Sequence, residues 1–362
     1  MNLQAGIDVD DTEALIAADR DGLLRGASMS GAQVRAVATA VAEGALAGLG
    51  DERPRAVVWV TGRGPASAAG AILAATLAPV SSVPVLVVGA VPPWIGALDL
   101  LIVAGDDPGD PALVGATATG VYRGARVVVA APFEGPLRDA GAGRVALLDP
   151  RLWVPDGFGL SHYLAAGLAA VGAVDPAASL DLNALADDLD AETLRNSAAR
   201  EMFTNAAKVL AHRISTHRTV LAGDTPATTA LARHGAEILL RVGHAVVGAA
   251  GLADALVALR TGLAAGDDGD DHDDVDALFR DDEIDGPAPL RPLVLVPALA
   301  DERGTLGARI AGYDDIEPIG VTDTPSSPDP APQPGRPEQQ LAVLAVRLEM
   351  AAVYLRLVAG RR

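Results

Sequence analysis

Two kinds of apolar run alternate along the chain. Short β-branched runs bounded by glycine, proline or charge are the pattern of strands buried on both faces of a parallel sheet. The first of them is Ala56-Val57-Val58-Trp59-Val60. Longer Ala/Val/Leu runs with helical spacing lie between the short ones. In the first half this predicts helix over residues 12–50 with a turn at 26–31, and strands at 56–60, 83–88, 98–104, 125–131 and 144–148. Helices are expected at 68–77 and 111–123, then a capping helix at 158–173 and a polar, partly helical connector at 175–195.

The second half repeats the scheme. A long helix at 196–215 leads to a strand at 219–223 and to a helix at 226–242 entered through Thr225. Strands follow at 292–299 and 317–321 with a helix at 302–311 between them, and the chain closes on an apolar helix at 337–358. Strands alternating with helices of this length imply βαβ crossovers. The expected fold is therefore α/β, with two flavodoxin-like, doubly wound parallel sheets in tandem, over residues 1–195 and 196–362. Ligands of such sheets bind at the carboxyl ends of the strands. That directs attention to two loops, Gly62 to Ser67 and Gly105 to Asp110.

Two segments break the pattern. Residues 265–289 and 322–337 carry too little apolar content to offset ordering entropy, so both are expected to be disordered. The first holds much of the chain's charge, with eleven acidic residues and one arginine between Asp267 and Asp285 against a net −19 overall. It lacks the glycine at loop position six and the final glutamate of a calcium-binding EF-hand loop, and reads as a solvated insert.

Composition narrows the function classes. Half the residues are hydrophobic but only 3% are aromatic, so the core must be Ala, Val and Leu. The absence of cysteine excludes disulfides, thiolate metal sites and a cysteine nucleophile. The acidic balance argues against nucleic acid, where phosphates demand Lys and Arg. No apolar stretch reaches the roughly 20 residues a membrane span needs. The first residues carry Asp8, Asp10, Asp11 and Glu13 rather than a signal peptide's basic start. A cytoplasmic protein is expected.

The order of local motifs resembles a known family. Asp19 to Leu24 followed by Gln33 resembles the "D-x-x-G-M … Q" start of the bifunctional phosphoglucose/phosphomannose isomerases, which carry two SIS (sugar isomerase) domains. Gly62-Arg63-Gly64-Pro65-Ala66-Ser67 stands where that family has a G-x-G-G-S sugar-binding loop. Pro84-Val85 and Pro92-Pro93-Trp94 follow at the family's spacing, and Asp149-Pro150-Arg151 resembles its "P-R", which supplies an active-site arginine. Asn205 to Ala211 is similar to the interdomain "N-x-A-K-x-L-A", and Leu341 to Leu357 to the C-terminal helix. The actinobacterial branch labelled TobH is the nearest resemblance. It implies two SIS-type lobes, a sugar or sugar-phosphate ligand, no cofactor, no metal and a homodimer.

The residues depart from that chemistry at two places. Where the family has hydroxyls for a phosphate, this chain has Asp106, Asp107 and Asp110, which repel an anion. They suit a helix N-cap and first turn, or a changed ligand that is either hydroxyl-rich or cationic. The glutamate expected as the base on the second lobe's first helix reads Leu240, leaving Glu237 and His244 as substitutes. Gly62, Arg63, Gly64 and Ser67 remain as ligand-binding candidates, and Arg151 as a catalytic one. The glycines also answer to a tight strand-to-helix turn alone. The reading is a catalytically diverged carbohydrate-derivative binder. The alternatives are an active aldose–ketose isomerase using Arg151 with Glu237 or His244, and a dinucleotide-binding protein. For the latter, the third glycine reads Ser67 and no acidic residue closes strand 83–88.

Overall fold

The computed structural model describes residues 7–50, 52–263, 290–323 and 335–359. The predicted N-terminal helix divides into α1 (Thr12–Ala18), α2 (Leu23–Ser28) and α3 (Ser30–Ala42). Asp19 causes the first break: its carboxylate accepts from the backbone N–H of Leu23 at 2.7 Å and Leu24 at 2.9 Å, capping α2.

The first sheet contains β1 (Ala56–Thr61), β2 (Val85–Val88), β3 (Asp99–Ala104), β4 (Arg126–Ala130) and β5 (Ala146–Leu147). All are parallel, in the order β2-β1-β3-β4-β5. Its helices are α4 (Ala66–Leu77), α5 (Pro111–Tyr122), α6 (Gly135–Gly141), α7 (Leu160–Val174) and α8 (Leu182–Arg195). The second sheet has β6 (Arg218–Gly223), β7 (Gly248–Gly251), β8 (Pro292–Pro297) and β9 (Ile316–Ile319), parallel in the order β7-β6-β8-β9. With it go α9 (Ala206–Thr216), α10 (Pro226–Arg241), α11 (Leu252–Ala258), α12 (Arg303–Ile310) and α13 (Pro337–Val358). Each sheet reverses its strand order beside its first strand, the switch point of a doubly wound fold.

Alternation along the strands sorts the core into three layers. Val57 and Trp59 of β1 face a central cluster shared with Leu221, Leu295 and α13, while Val58 and Val60 face an outer cluster under α5. A third cluster with Val294, Val296 and Leu306 covers the far face of the second sheet. The indole of Trp59 reaches between α4 and α7 because Gly70 and Gly167 leave it room: a Cβ on either would lie 2.6–2.7 Å from the ring. No helix among the described residues is long and apolar enough to cross a membrane.

Several expectations shift. Residues 196–205 form a connector, not the start of the helix predicted over 196–215. Asn205 ends it by capping the Lys208 N–H at 3.0 Å, so α9 begins only at Ala206. The connector expected at 175–195 contains the full helix α8, capped by Asp181. The apolar pattern does not predict β7 and α11, since Gly-Ala-Ala-Gly carries no β-branched residue. Of the two segments expected to be disordered, all of 265–289 and the stretch 324–334 of the second lie outside the described residues. The edges of the second are ordered: Asp323 accepts from the Gly320 N–H at 2.8 Å, and α13 starts at Pro337.

α13 is buried on nearly every side yet carries Arg347 and Glu349. Arg347 donates through Nε to Glu192 Oε1 of α8 at 2.7 Å and through Nη1 to the Gly320 carbonyl at 2.9 Å. Glu192 also accepts from Arg195 at 2.9 Å and from Asn196 Nδ2 at 2.7 Å. Burial pushes the Glu192 carboxyl up, but Arg347 and Arg195 together outweigh it and hold the group below its ordinary value. Its contribution to stability is therefore present above about pH 4.5 and lost as the pH falls through its lowered folded value. Removing one partner of such a pair strands a buried charge. Arg347→Ala is expected to cost about 3–5 kcal/mol at pH 7 in urea unfolding. The paired change Arg347→Met with Glu192→Leu should recover most of that loss.

Candidate functional site

The carboxyl ends of β1, β3, β4 and β5 open on one side of the first lobe. The turn after β1 is tight: the Gly62 N–H donates to the Ala104 carbonyl at 2.9 Å, and Gly64 has φ +88°. A Cβ on Gly64 would come within 1.8 Å of Asp106 Oδ2, so the Asp106 carboxylate lies directly beneath this loop. Gly62 answers a similar need, since its Cβ would sit 2.9 Å from Asp110 Oδ2.

The three aspartates are satisfied from within the protein. Asp110 caps α5, accepting from the Ala112 N–H at 2.8 Å. Asp107 accepts from the Gly109 N–H at 2.8 Å and stands 3.5 Å from the Arg63 guanidinium, which is otherwise exposed. Asp106 accepts a hydrogen bond from the Tyr163 hydroxyl of α7. Burial raises the Asp106 carboxyl above its ordinary value and Asp156 adds to this, while Tyr163, Arg241 and Arg63 pull it back. Burial and the Asp106 charge push the Tyr163 phenol far up, so it keeps its proton.

Beside this cluster the 148–159 segment, α3 and the first turn of α7 enclose a cleft of about 510 Å³. Gln33, Asp106, Arg151, Trp153, Asp156 and His162 line it. Gln33 donates to the Phe158 carbonyl at 2.9 Å and so fixes the segment against α3. Arg151 Nη2 lies 2.5 Å from Glu43 Oε2, which absorbs much of its charge. The Trp153 indole is 81% exposed at the rim.

His162 is the unusual member. Its ring is 4% exposed, and Nε2 meets no hydrogen-bond partner among the described residues. Burial lowers its pKa to about 4, against a smaller opposing effect of the Leu148 backbone, so the ring is neutral at pH 7. A buried acceptor without a donor costs about 1–3 kcal/mol.

Of the ten candidates from the sequence, Asp106 and Arg151 line this cleft. Gly62, Arg63, Gly64, Asp107 and Asp110 form the adjoining loops, and Ser67 is exposed on the first turn of α4. Glu237 and His244 are not among the lining residues. Glu237 is exposed on α10. His244 sits at φ +53° just past that helix, with Nδ1 2.6 Å from Arg356 Nη1.

No protein-family model matches the chain, and no curated protein matches it in sequence. Solved structures do match. A protein of Clostridium difficile 630 assigned as a phosphosugar isomerase superposes with a TM-score of 0.61 at 10% identity, over 93% of both chains. Tagatose-6-phosphate ketose/aldose isomerase from Escherichia coli does so at 0.60 and 14% identity, over 97% of this chain and 93% of that one. A glucose-6-phosphate isomerase-like protein from Thermus thermophilus follows at 0.54 and 17%, over 98% and 94%. The fold is a tandem SIS fold. Identities this low carry the architecture alone.

Within the first SIS lobe, the sequence motifs point to the loops and miss Trp153, Asp156, His162 and Tyr163. A signal was present. Ser161-His162-Tyr163 is a polar triplet inside an otherwise apolar helix, and Trp153 is one of three tryptophans. The ionisation of His162 also has a consequence for the SIS lobe's stability. Its folded pKa lies below the ordinary 6.5, so the unfolded chain takes the proton first and stability falls as pH drops from 6.5 to about 4. A shift of this size corresponds to ~3 kcal/mol. In urea unfolding at pH 7 and pH 4, His162→Gln should lack this component of the acid sensitivity that the parent chain shows.

Proposed function

We propose that this chain is a carbohydrate-derivative binding protein of the phosphoglucose/phosphomannose isomerase type, TobH-like, catalytically diverged and regulatory. Residues 1–195 and 196–362 are its two lobes, and it works as a cytoplasmic homodimer. One observation carries the reading. The loop ends where a sugar phosphate would be cradled are filled by Asp106, Asp107 and Asp110, each held by donors of the protein itself. An entering phosphate would meet carboxylates where it needs hydroxyls and free N–H groups.

The cleft beside them supports a sugar as ligand. It combines an exposed indole with buried polar groups, the mixture that orients a small ligand in a pocket. The apolar face of Trp153 suits the C–H face of a pyranose, and the polar wall suits its hydroxyls. A base for moving a proton between sugar carbons must stand within hydrogen-bond reach of them. Glu237 and His244, offered for that role, do not line the cleft.

Purified protein mixed with fructose 6-phosphate should form neither glucose 6-phosphate nor mannose 6-phosphate in a coupled assay. Turnover of about 1 s⁻¹ or more, the range of ordinary enzymes, would overturn the diverged reading. Trp153→Ala should weaken hexose binding, followed by calorimetric titration, by roughly threefold to tenfold, the worth of an aromatic contact.

A further inference from the structure

Glu317, Glu338 and Glu349 also have a buried carboxylate oxygen without a hydrogen bond among the described residues, but each lies against Arg213, Arg336 or His234 and none lines the cleft. His162 differs, because it is buried, borders the cleft and has no partner for Nε2 among the described residues. It also occupies the third position of α7, whose start at Gly159 has no side-chain cap. The first turn of α7 therefore has backbone N–H groups without a side-chain cap from Gly159, on the same turn that carries the unpartnered His162 Nε2.

Few chemical groups satisfy both at once. A dianionic phosphate accepts from N–H groups but has no proton to give Nε2, and it would meet Asp106 and Asp156 on the same wall. An ammonium donates to Nε2 but faces the positive end of the α7 dipole and accepts nothing. A hydroxyl does both: its oxygen accepts from the helix N–H while its proton goes to the imidazole. Of the remaining charged cleft groups, Asp156 adds an acceptor for a further hydroxyl, while Asp106 is already held by Tyr163 and Arg151 by Glu43.

We infer that the cleft selects a neutral polyhydroxy ligand, a sugar without its phosphate, through a hydroxyl donated to His162 Nε2. This rests on the carbohydrate-binding reading above and specifies its ligand class. His162 then selects for a ligand with a hydroxyl to donate, and Asp106 and Asp156 select against one that also carries a phosphate.

The probes are D-glucose, D-mannose and their 6-phosphates, titrated into protein with ¹⁵N-labelled histidine. At least one free hexose should move the His162 Nε2 resonance and bind at least tenfold more tightly than its 6-phosphate. His162→Phe, which keeps a planar ring without the acceptor, should lower that affinity at least tenfold. His162→Gln, which restores a carbonyl acceptor, should keep part of it and covers the case in which the Phe variant fails to fold. The inference is overturned if a 6-phosphate binds as tightly as its hexose, or if the Nε2 resonance stays fixed at saturation. It is also overturned if a folded Phe variant binds as the parent does. Hexose phosphate binding with an unmoved His162 signal would sink this inference and leave the carbohydrate reading standing. No binding of any of the four probes would sink both.

Discussion

The buried contact between Arg347 and Glu192 is the constraint on which the two-lobed arrangement depends. Removing two ions from water costs several kcal/mol each, and only near-complete hydrogen bonding offsets it. Here the guanidinium reaches one carboxylate and the carbonyls of Gly320 and Val321, while the carboxylate is also held by Arg195 and Asn196. Tyr354, two turns further along α13, donates to the Asn196 carbonyl at 2.5 Å. A slide of α13 by one turn would break these contacts together. The apolar residues bring the helix inside, and the charged pair selects one position for it.

The first lobe treats its polar groups at the strand ends in two ways. Asp107 and Asp110 are absorbed into turn and cap chemistry, and Asp106 is closed off by Tyr163. Such groups stabilise loops and leave little for a ligand. His162, one residue before Tyr163, has no such closure at Nε2 among the described residues. Stability is conceded at that one atom, beside a cleft, while its neighbours are satisfied. A buried unsatisfied group is expected where a site is waiting for its ligand.

Much of the architecture is legible from local pattern. The runs at 56–60, 98–104 and 125–131 have the pattern of strands buried on both faces and give β1, β3 and β4, and α13 matches its expected limits of 337 and 358. β7 was invisible because Gly248 to Gly251 has no strand propensity and becomes a strand through its pairing with β6. The helix expected from 196 fails at its start because Asn196 and Asn205 spend their side chains on capping and bridging backbone groups, a competition that apolar periodicity does not register. The candidate site was half legible. The glycine loop and the aspartates marked the correct end of the sheet, but the cleft is built by the 148–159 segment, which has no motif beyond Pro150-Arg151.

The sequence by itself determined the fold class, because alternation of β-branched and small apolar runs sets strand and helix periods without any distant contact. It also determined that the loops after β1 and β3 were poor in phosphate donors, since residue type alone decides what an oxygen can donate. Only the tertiary structure decided which groups remained free. Asp106 and Tyr163 are 57 residues apart and become partners, while His162, beside Tyr163 in sequence, is left without one at Nε2 among the described residues. Hydrogen bonding and burial depend on what arrives from elsewhere in the chain. The Gly62 to Ser67 turn thus belongs to the sequence's account of the protein, and the imidazole at the cleft to the structure's.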